Sequence, residues 1–342
     1  MRDQAVNVMK KYDCVAHIGE AQAEAKAEIG EDRIVVTGGV KADLLFADIL
    51  DMRLLNYTLI LTMKEGEARL SKMGYDTEDF FEQLWLAFTK ESKKSLFVTG
   101  DAEIFVEGDY TLEEEGVAKK GIAKLALHKD CICMIPHNIT GRRIPLCFSC
   151  APEREDFKVE ISLDTREKYG FGRLGHHTEP FFERLNKNRA VTVKQWTEAH
   201  VRLENELESR MGGAADRLLI LKDTGANVVS GLFSPDDEEN FWIAAVRDDR
   251  AAVELMTDED TATYLYRFDI GADVFVSRLR HAMEAVKKNR RMIYISDEEL
   301  HENLQYRMAA DRSSHVRFLR ECTDGRVIHT GGWESKIREF FS

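Results

Sequence analysis

The chain has 342 residues, of which 44% are hydrophobic and 32% charged, as in an ordinary globular protein with room for two or three domains. The formal net charge of −13 disfavours nucleic acid and anionic membranes as partners, because the field of the whole molecule repels both. The first residues lack the apolar core of a secretory signal, and no apolar run approaches the roughly 20 residues of a membrane span. We therefore expect a cytoplasmic protein without a cofactor.

The first predicted unit covers residues 1–93 and begins with short strands. They are read from the stretches DCVAHIG, EAKAEIG, DRIVVTGG and ADLLFADILDMRL. Residues 56–74 then alternate apolar and polar side chains on both sides of a Lys-Glu-Gly turn, which predicts a β-hairpin. The segment DTEDFFEQLWLAF places aromatic residues at helical spacing and predicts a closing helix, with Thr77 as its N-cap.

The second predicted unit, residues 94–190, repeats the end of the first. Residues 174–185, LGHHTEPFFERL, match residues 73–84, MGYDTEDFFEQL, at seven of twelve positions with a constant offset of 101. The same hairpin pattern precedes the match, and Thr178 takes the position of Thr77. Further strands are predicted in GIAKLALHKDCICMI and RRIPLCFSC, whereas DYTLEEEGVAKKG is interpreted as the loop between the first two strands.

A linking amphipathic helix is predicted over residues 191–213, because Val193, Trp196, His200, Leu203 and Leu207 follow one another at three- and four-residue steps. The double glycine at 212–213 ends it. Since the stripe spans only about two heptads, packing on a neighbouring unit is favoured over a dimeric coiled coil.

A third unit is predicted over residues 214–291, where 253–279 aligns without a gap to 159–185. Strands are predicted in DRLLILKDTG, NVVSGLF and NFWIAAVRD, followed by a hairpin that turns at 258–260. Tyr264, Tyr266 and Phe268 are expected to form a buried face of its last strand. The basic run at 287–291 ends the closing helix, where it complements the negative end of the helix dipole.

Residues 292–342 are interpreted as a C-terminal α/β cap, or a shortened further unit. The expected elements are a strand at 291–295, a helix at 297–308, a hairpin turning at 323–325, and a last helix that ends in IREFF.

The order of several strands, a hairpin and a closing helix resembles the pleckstrin-homology-like (PH-like) fold, including its bacterial GRAM-like modules. The resemblance implies an α+β, mainly β protein with three repeated units, each a bent antiparallel sheet or small barrel closed by a C-terminal helix. It also implies a groove between an edge strand and the closing helix, where a peptide can be added as a further strand. The lipid-binding function of the family does not carry over, because the matching loops are acidic or mixed in charge.

A cysteine cluster supports an alternative function. Cys131, Cys133, Cys147 and Cys150 could hold zinc if their thiolates converge, which would make the chain a zinc- or redox-responsive regulator. The first pair is spaced as Cys-x-Cys inside a predicted strand, and the second pair would face opposite ways on a regular strand. Buried free cysteine is the commoner outcome for such residues.

The segment Asp223-Thr-Gly-Ala resembles the catalytic signature of aspartic proteases. That chemistry needs two aspartates that share a proton, and the chain has a single Asp-Thr-Gly, so Asp223 could act only in a homodimer. The alternative is a tight turn between two strands.

The leading hypothesis is a non-enzymatic cytoplasmic binding or scaffold protein that uses tandem PH-like modules to bind protein or peptide partners. A peripheral membrane adaptor is a further alternative, which the negative charge disfavours. The oligomeric state stays open between monomer and homodimer.

Overall fold

The computed structural model describes residues 10–237, 239–257 and 261–342. The predicted α+β class is confirmed: helices accompany three curled antiparallel sheets, two of seven strands and one of five. Among the described residues, no helix combines the length and the apolar character that crossing a bilayer requires.

The first sheet forms where short runs of alternating polarity are separated by turns. Its strands are β1 (Lys11–Ile18), β2 (Ala21–Ile29), β3 (Arg33–Gly38), β4 (Ala42–Leu45), β5 (Ile49–Leu55), β6 (Thr58–Met63) and β7 (Glu67–Ser71). They pair in the order β4-β3-β2-β1-β7-β6-β5, which leaves β5 at one edge. Helix α1 (Asp76–Ser95) then buries Phe80, Leu84 and Phe88 in the core of this sheet.

The second sheet repeats this topology. Its strands are β8 (Ile104–Glu114), β9 (Val117–Leu127), β10 (Cys131–Pro136), β11 (Arg142–Pro145), β12 (Glu153–Glu155), β13 (Lys158–Ser162) and β14 (Lys168–Gly172). The order β11-β10-β9-β8-β14-β13-β12 is that of the first sheet, with β12 in the place of β5. The prediction that DYTLEEEGVAKKG forms a loop was wrong. Most of this segment belongs to strands β8 and β9, which form a long hairpin with its turn at residues 115–116.

Helix α2 (Thr178–Met211) is 34 residues long, and it closes the second sheet with its first half. It runs unbroken through residue 190, so the predicted linking helix is the second half of the closing helix. Trp196, Leu203 and Leu207 lie in an apolar cluster with side chains of the third sheet. The expected packing of this stripe on a neighbouring unit is therefore confirmed.

Thr77 and Thr178 do not cap their helices in the predicted way. Both lie inside the first turn, and each hydroxyl donates a hydrogen bond to the carbonyl of the glycine three residues earlier, at 2.8 Å to Gly74 and 2.9 Å to Gly175. The two copies thus share a buried threonine that ties the helix to the preceding loop.

The last third of the chain contains helices and a five-stranded sheet. Its elements are α3 (Ala215–Asp223), β15 (Asn227–Leu232), β16 (Phe241–Arg247), β17 (Arg250–Met256), β18 (Ala262–Arg267), α4 (Ala272–Val286), α5 (Arg291–Tyr294), α6 (Asp297–Glu302), α7 (Leu304–Arg312), α8 (Ser314–Cys322), β19 (Thr323–Ile328) and α9 (Trp333–Phe341). The sheet order is β15-β16-β17-β18-β19, so the C-terminal segment supplies one of its two edge strands.

Several predicted elements of this part were wrong. The predicted strand at 216–225 is helix α3, the strand at 291–295 is a single helical turn, and the hairpin at 323–325 is one strand, β19. The helix at 297–308 is broken at Asn303, whose side chain caps α7 by accepting a hydrogen bond from the Tyr306 N–H. Short apolar runs fit a helix or a strand equally well, so periodicity alone does not separate the two.

The third predicted unit keeps the hairpin β17–β18 and the following helix α4, and Tyr264, Tyr266 and Phe268 are buried as expected. The predicted turn at 258–260 lies outside the described residues. Because the five-stranded order differs from the order shared by the first two sheets, the structure confirms two repeats of the topology and leaves the third unconfirmed.

The first two sheets also share a core. Ala126, Cys131, Cys133 and Ile135 of β9 and β10 pack into the apolar cluster formed by α1 and the first sheet. The second sheet therefore presents its outer face to the first helix, which sets the relation between the two repeats.

Candidate functional site

The edge strands β5 and β12 each lie near the helix that follows their sheet. We name the space between β5 and α1, which residues 137–139 occupy, the first groove. The space between β12 and α2, which Arg154 crosses to contact Glu179 and Phe182, is named the second groove. On both helices the wall carries a phenylalanine and a glutamate at positions related by the offset of 101. The equivalent residues are Phe81 and Phe182, Glu82 and Glu183, and, where the copies differ, Trp85 and Asn186.

The first groove holds a segment of the second repeat. The Met52 N–H donates to the His137 carbonyl at 2.8 Å, and the Ile139 N–H donates to the Leu50 carbonyl at 3.0 Å. Asp51 and Asn138 form an antiparallel bridge between them. The loop between β10 and β11 thus adds a short strand to the outer edge of β5.

Aromatic side chains line the same groove around this added strand. The imidazole of His137 lies 3.7 Å from the Trp85 ring and 4.9 Å from the Phe81 ring, between centroids. The Trp85 indole N–H donates to the Ile135 carbonyl at 3.3 Å, and Trp85 is fully buried. Burial lowers the pKa of His137 to about 4, so the imidazole is neutral at pH 7.

A lysine of the second repeat completes the contact with α1. The Lys124 ammonium lies 3.8 Å above the Trp85 ring and within 3.4 Å of the Glu82 carboxylate and 3.3 Å of Glu107. Only 7% of the Lys124 side chain is exposed. The helix face of the first groove therefore accepts an amine between an aromatic ring and a carboxylate, a favourable place for a cation.

The second groove also lies between an edge strand and a helix, and the side chains that cross it belong to these two walls. Arg154 of β12 forms an ion pair with Glu179 and lies 5.4 Å from the Phe182 ring centroid. The three residues of β12 are exposed, and Phe182 is half-buried. Within the described residues, no backbone hydrogen bond joins another segment to the outer edge of β12.

The four predicted cysteine ligands are divided between the core and the surface. Cys131 and Cys133 are buried core residues of β10, Cys147 is half-buried and Cys150 is exposed. A hydrogen bond with Cys133, together with burial, raises the pKa of Cys131 well above its usual value. In the described part of the chain no three His, Cys, Asp or Glu side chains gather closely enough to hold a metal ion. The arrangement gives the zinc hypothesis no support.

Asp223 is the last residue of helix α3, so the predicted turn between two strands was wrong. Its carboxylate is 66% exposed and lies 3.6 Å from the Arg338 guanidinium of α9. Two aspartates share a proton when both lie in a common enclosed site, whereas Asp223 is an exposed carboxylate beside a cation. This position does not support the aspartic protease hypothesis.

The sequence itself carries a signal for the two grooves. Both copies contain two consecutive phenylalanines, and neighbouring positions on a helix point about 100° apart. One member of each pair must therefore face away from the core of its own sheet. Phe80 and Phe181 are buried in those cores, whereas Phe81 and Phe182 face the grooves.

No family model matches the chain, and no curated protein matches it. The geometry of the two grooves is therefore the basis for assigning a function.

Proposed function

We propose that the chain is a non-enzymatic binding or scaffold protein whose PH-like units recognise extended peptide segments in the groove between an edge strand and the closing helix. The observation that carries this proposal is the first groove, where residues 137–139 add to β5 by two backbone hydrogen bonds. Main-chain pairing of this kind provides affinity that depends little on the guest sequence, while the side-chain contacts provide specificity.

The repeated topology supports the PH-like assignment. Seven antiparallel strands in one order, followed by a closing helix, occur twice in the chain. The hairpin β17–β18 with helix α4 is offered as a third, divergent unit. All six cysteines are free thiols, which agrees with the proposed reducing, cytoplasmic setting.

The second groove is the proposed site for a partner from outside the chain. Its glutamate at 183 matches Glu82, which receives Lys124 in the first groove. A second exposed carboxylate, Glu179 of α2, lies on the same wall, where it forms the ion pair with Arg154. We therefore propose an extended segment that carries lysine or arginine as the partner.

Selection from a display library of short random peptides tests the proposal. The expected result is enrichment of basic peptides on the full chain, lost in Phe182→Ala and in Glu183→Lys. Glu198→Lys makes the same charge change on α2, away from the groove residues, and is expected to keep the enrichment. Equal enrichment on the wild type and on both groove variants would contradict the proposal.

A further inference from the structure

A pocket of about 590 Å³ lies on the third sheet, away from both grooves. It is bounded by strands β18 and β19, by Arg290 and helix α5, and by the start of α6. Its size falls in the range of small-molecule sites, roughly 300–1,000 Å³. The side chains that matter for its chemistry are Tyr264, Arg290, Arg291, Tyr294, Glu299 and Arg326.

Two stacked tyrosines form the aromatic part of the pocket. The rings of Tyr264 and Tyr294 lie 3.5 Å apart between centroids, at an interplanar angle of 20°. Tyr264 is buried on β18, whereas Tyr294 of α5 is half-buried and is the more exposed ring of the pair. The wall thus offers a flat aromatic surface held in place by a second ring behind it.

Three arginines bring positive charge to the same pocket. Arg326 lies on β19 directly opposite Tyr264, so the guanidinium and the ring share one face of the sheet. Arg290 and Arg291 follow α4, and the Arg290 guanidinium donates to the Thr257 hydroxyl at 2.8 Å. The only acidic side chain among the described lining residues is Glu299.

Arg291 and Arg326 are exposed and enter no ion pair with a described residue. Arg320 of α8, by contrast, donates to the Met292 carbonyl and to the Asp297 carboxylate, both at 2.6 Å. In a chain of net charge −13, this pocket is thus lined by two arginines that form no ion pair with a described residue. Dipole compensation at the end of α4 does not account for Arg326, which lies on a strand.

We propose that this pocket binds a nucleotide, with its phosphates on Arg291 and Arg326 and its base against Tyr294. A guanidinium offers paired N–H donors that match phosphate oxygens, which makes arginine the residue suited to this contact. An aromatic ring beside it can stack on a base of any identity. The site is separate from the peptide grooves and does not depend on the function proposed for them.

Isothermal titration of the full chain with ATP tests this inference. We expect saturable binding, with affinity lowered about tenfold or more in Arg326→Ala and in Arg291→Ala, the loss of roughly one charge-assisted contact in each. Arg326→Lys keeps the charge but not the paired donors and is expected to recover only part of the affinity. Arg173→Ala, an exposed arginine on the second repeat, is the matched control and is expected to bind as the wild type does.

Titrations with adenosine and with inorganic phosphate measure the contributions of the two parts of the ligand separately. We expect each to bind much more weakly than ATP, because each reaches only one wall of the pocket. Absence of ATP binding would overturn the inference, as would binding that both arginine variants leave unchanged. Phosphate binding as tight as that of ATP would also overturn it, since the base would then contribute nothing.

Discussion

The first and second grooves have the same construction and different contents. Both are bordered by an edge strand of a seven-stranded sheet and by a helix that begins with the repeated Thr-Glu-x-Phe-Phe-Glu segment. The first is filled by the loop at 137–139 and by Lys124, and its Trp85 is fully buried. The second has a three-residue edge strand and asparagine at the position of Trp85.

Under the proposed function, the first repeat serves the assembly of the chain and the second binds a partner. The seven residues of β5 and the indole of Trp85 provide a long edge and a large apolar face, which the second repeat covers. The shorter edge and smaller side chains of the second groove leave its walls exposed. The first groove is therefore expected to contribute to the stability of the chain, and the second is not.

The largest effect is expected from Trp85→Ala. This change removes a fully buried indole that contacts the His137 ring and lies under Lys124. The free energy of unfolding is expected to fall by about 3–5 kcal/mol, as for other buried aromatic residues. Chemical denaturation measures it, with Asn186→Ala at the equivalent position of the second groove as the control. A loss as small as that of the control would remove the distinction between the grooves.

A smaller loss of stability is expected from Lys124→Met, which keeps the apolar stem and removes the charge. The ammonium contacts the Trp85 ring and two half-exposed glutamates, so the expected loss is about 1–2 kcal/mol. Lys158→Met, in an exposed ion pair of the second sheet, is the matched control and should change stability by about 0.5 kcal/mol or less. Similar losses in both variants would show that the buried position of Lys124 adds nothing.

The pair Phe81→Ala and Phe182→Ala compares the same position in the two repeats. Both side chains are half-buried, but Phe81 also contacts the His137 ring. Phe81→Ala is therefore expected to cost more, by about 0.5–1.5 kcal/mol, the usual contribution of an aromatic pair beyond its buried area. Thermal and chemical denaturation of both variants measure the difference, and equal costs would contradict the role assigned to His137.

The mildest test is pH. Because burial lowers the pKa of His137 to about 4 from an ordinary value of 6.5, the unfolded chain binds this proton more readily than the folded chain. Stability is therefore expected to fall as the pH drops from 6.5 towards 4. His137→Gln should reduce the slope of Tm against pH in that window, relative to the wild type measured under the same conditions. An unchanged slope would show that this imidazole is not shielded by the first groove.

Much of the secondary structure could be predicted from local patterns. The hairpins of β6–β7 and β13–β14, the two closing helices and the buried face of Tyr264, Tyr266 and Phe268 all follow from side-chain periodicity. The helix α3 could not be separated from a strand, because Leu218 and Leu221 are buried by packing that the local run LLIL does not specify. The same holds for residues 291–295, where one helical turn packs Met292 and Ile293 into the core of the third sheet.

The sequence alone determined that the chain contains a tandem repeat, since an ungapped match of hairpin and helix at one offset needs no tertiary information. It also determined the two consecutive phenylalanines that give each helix a second face. Only the tertiary structure decided which groove is filled, because His137 and Lys124 reach α1 across about forty to fifty residues of chain. Contacts of this kind depend on how whole sheets pack, and side-chain periodicity records only which face of an element is apolar.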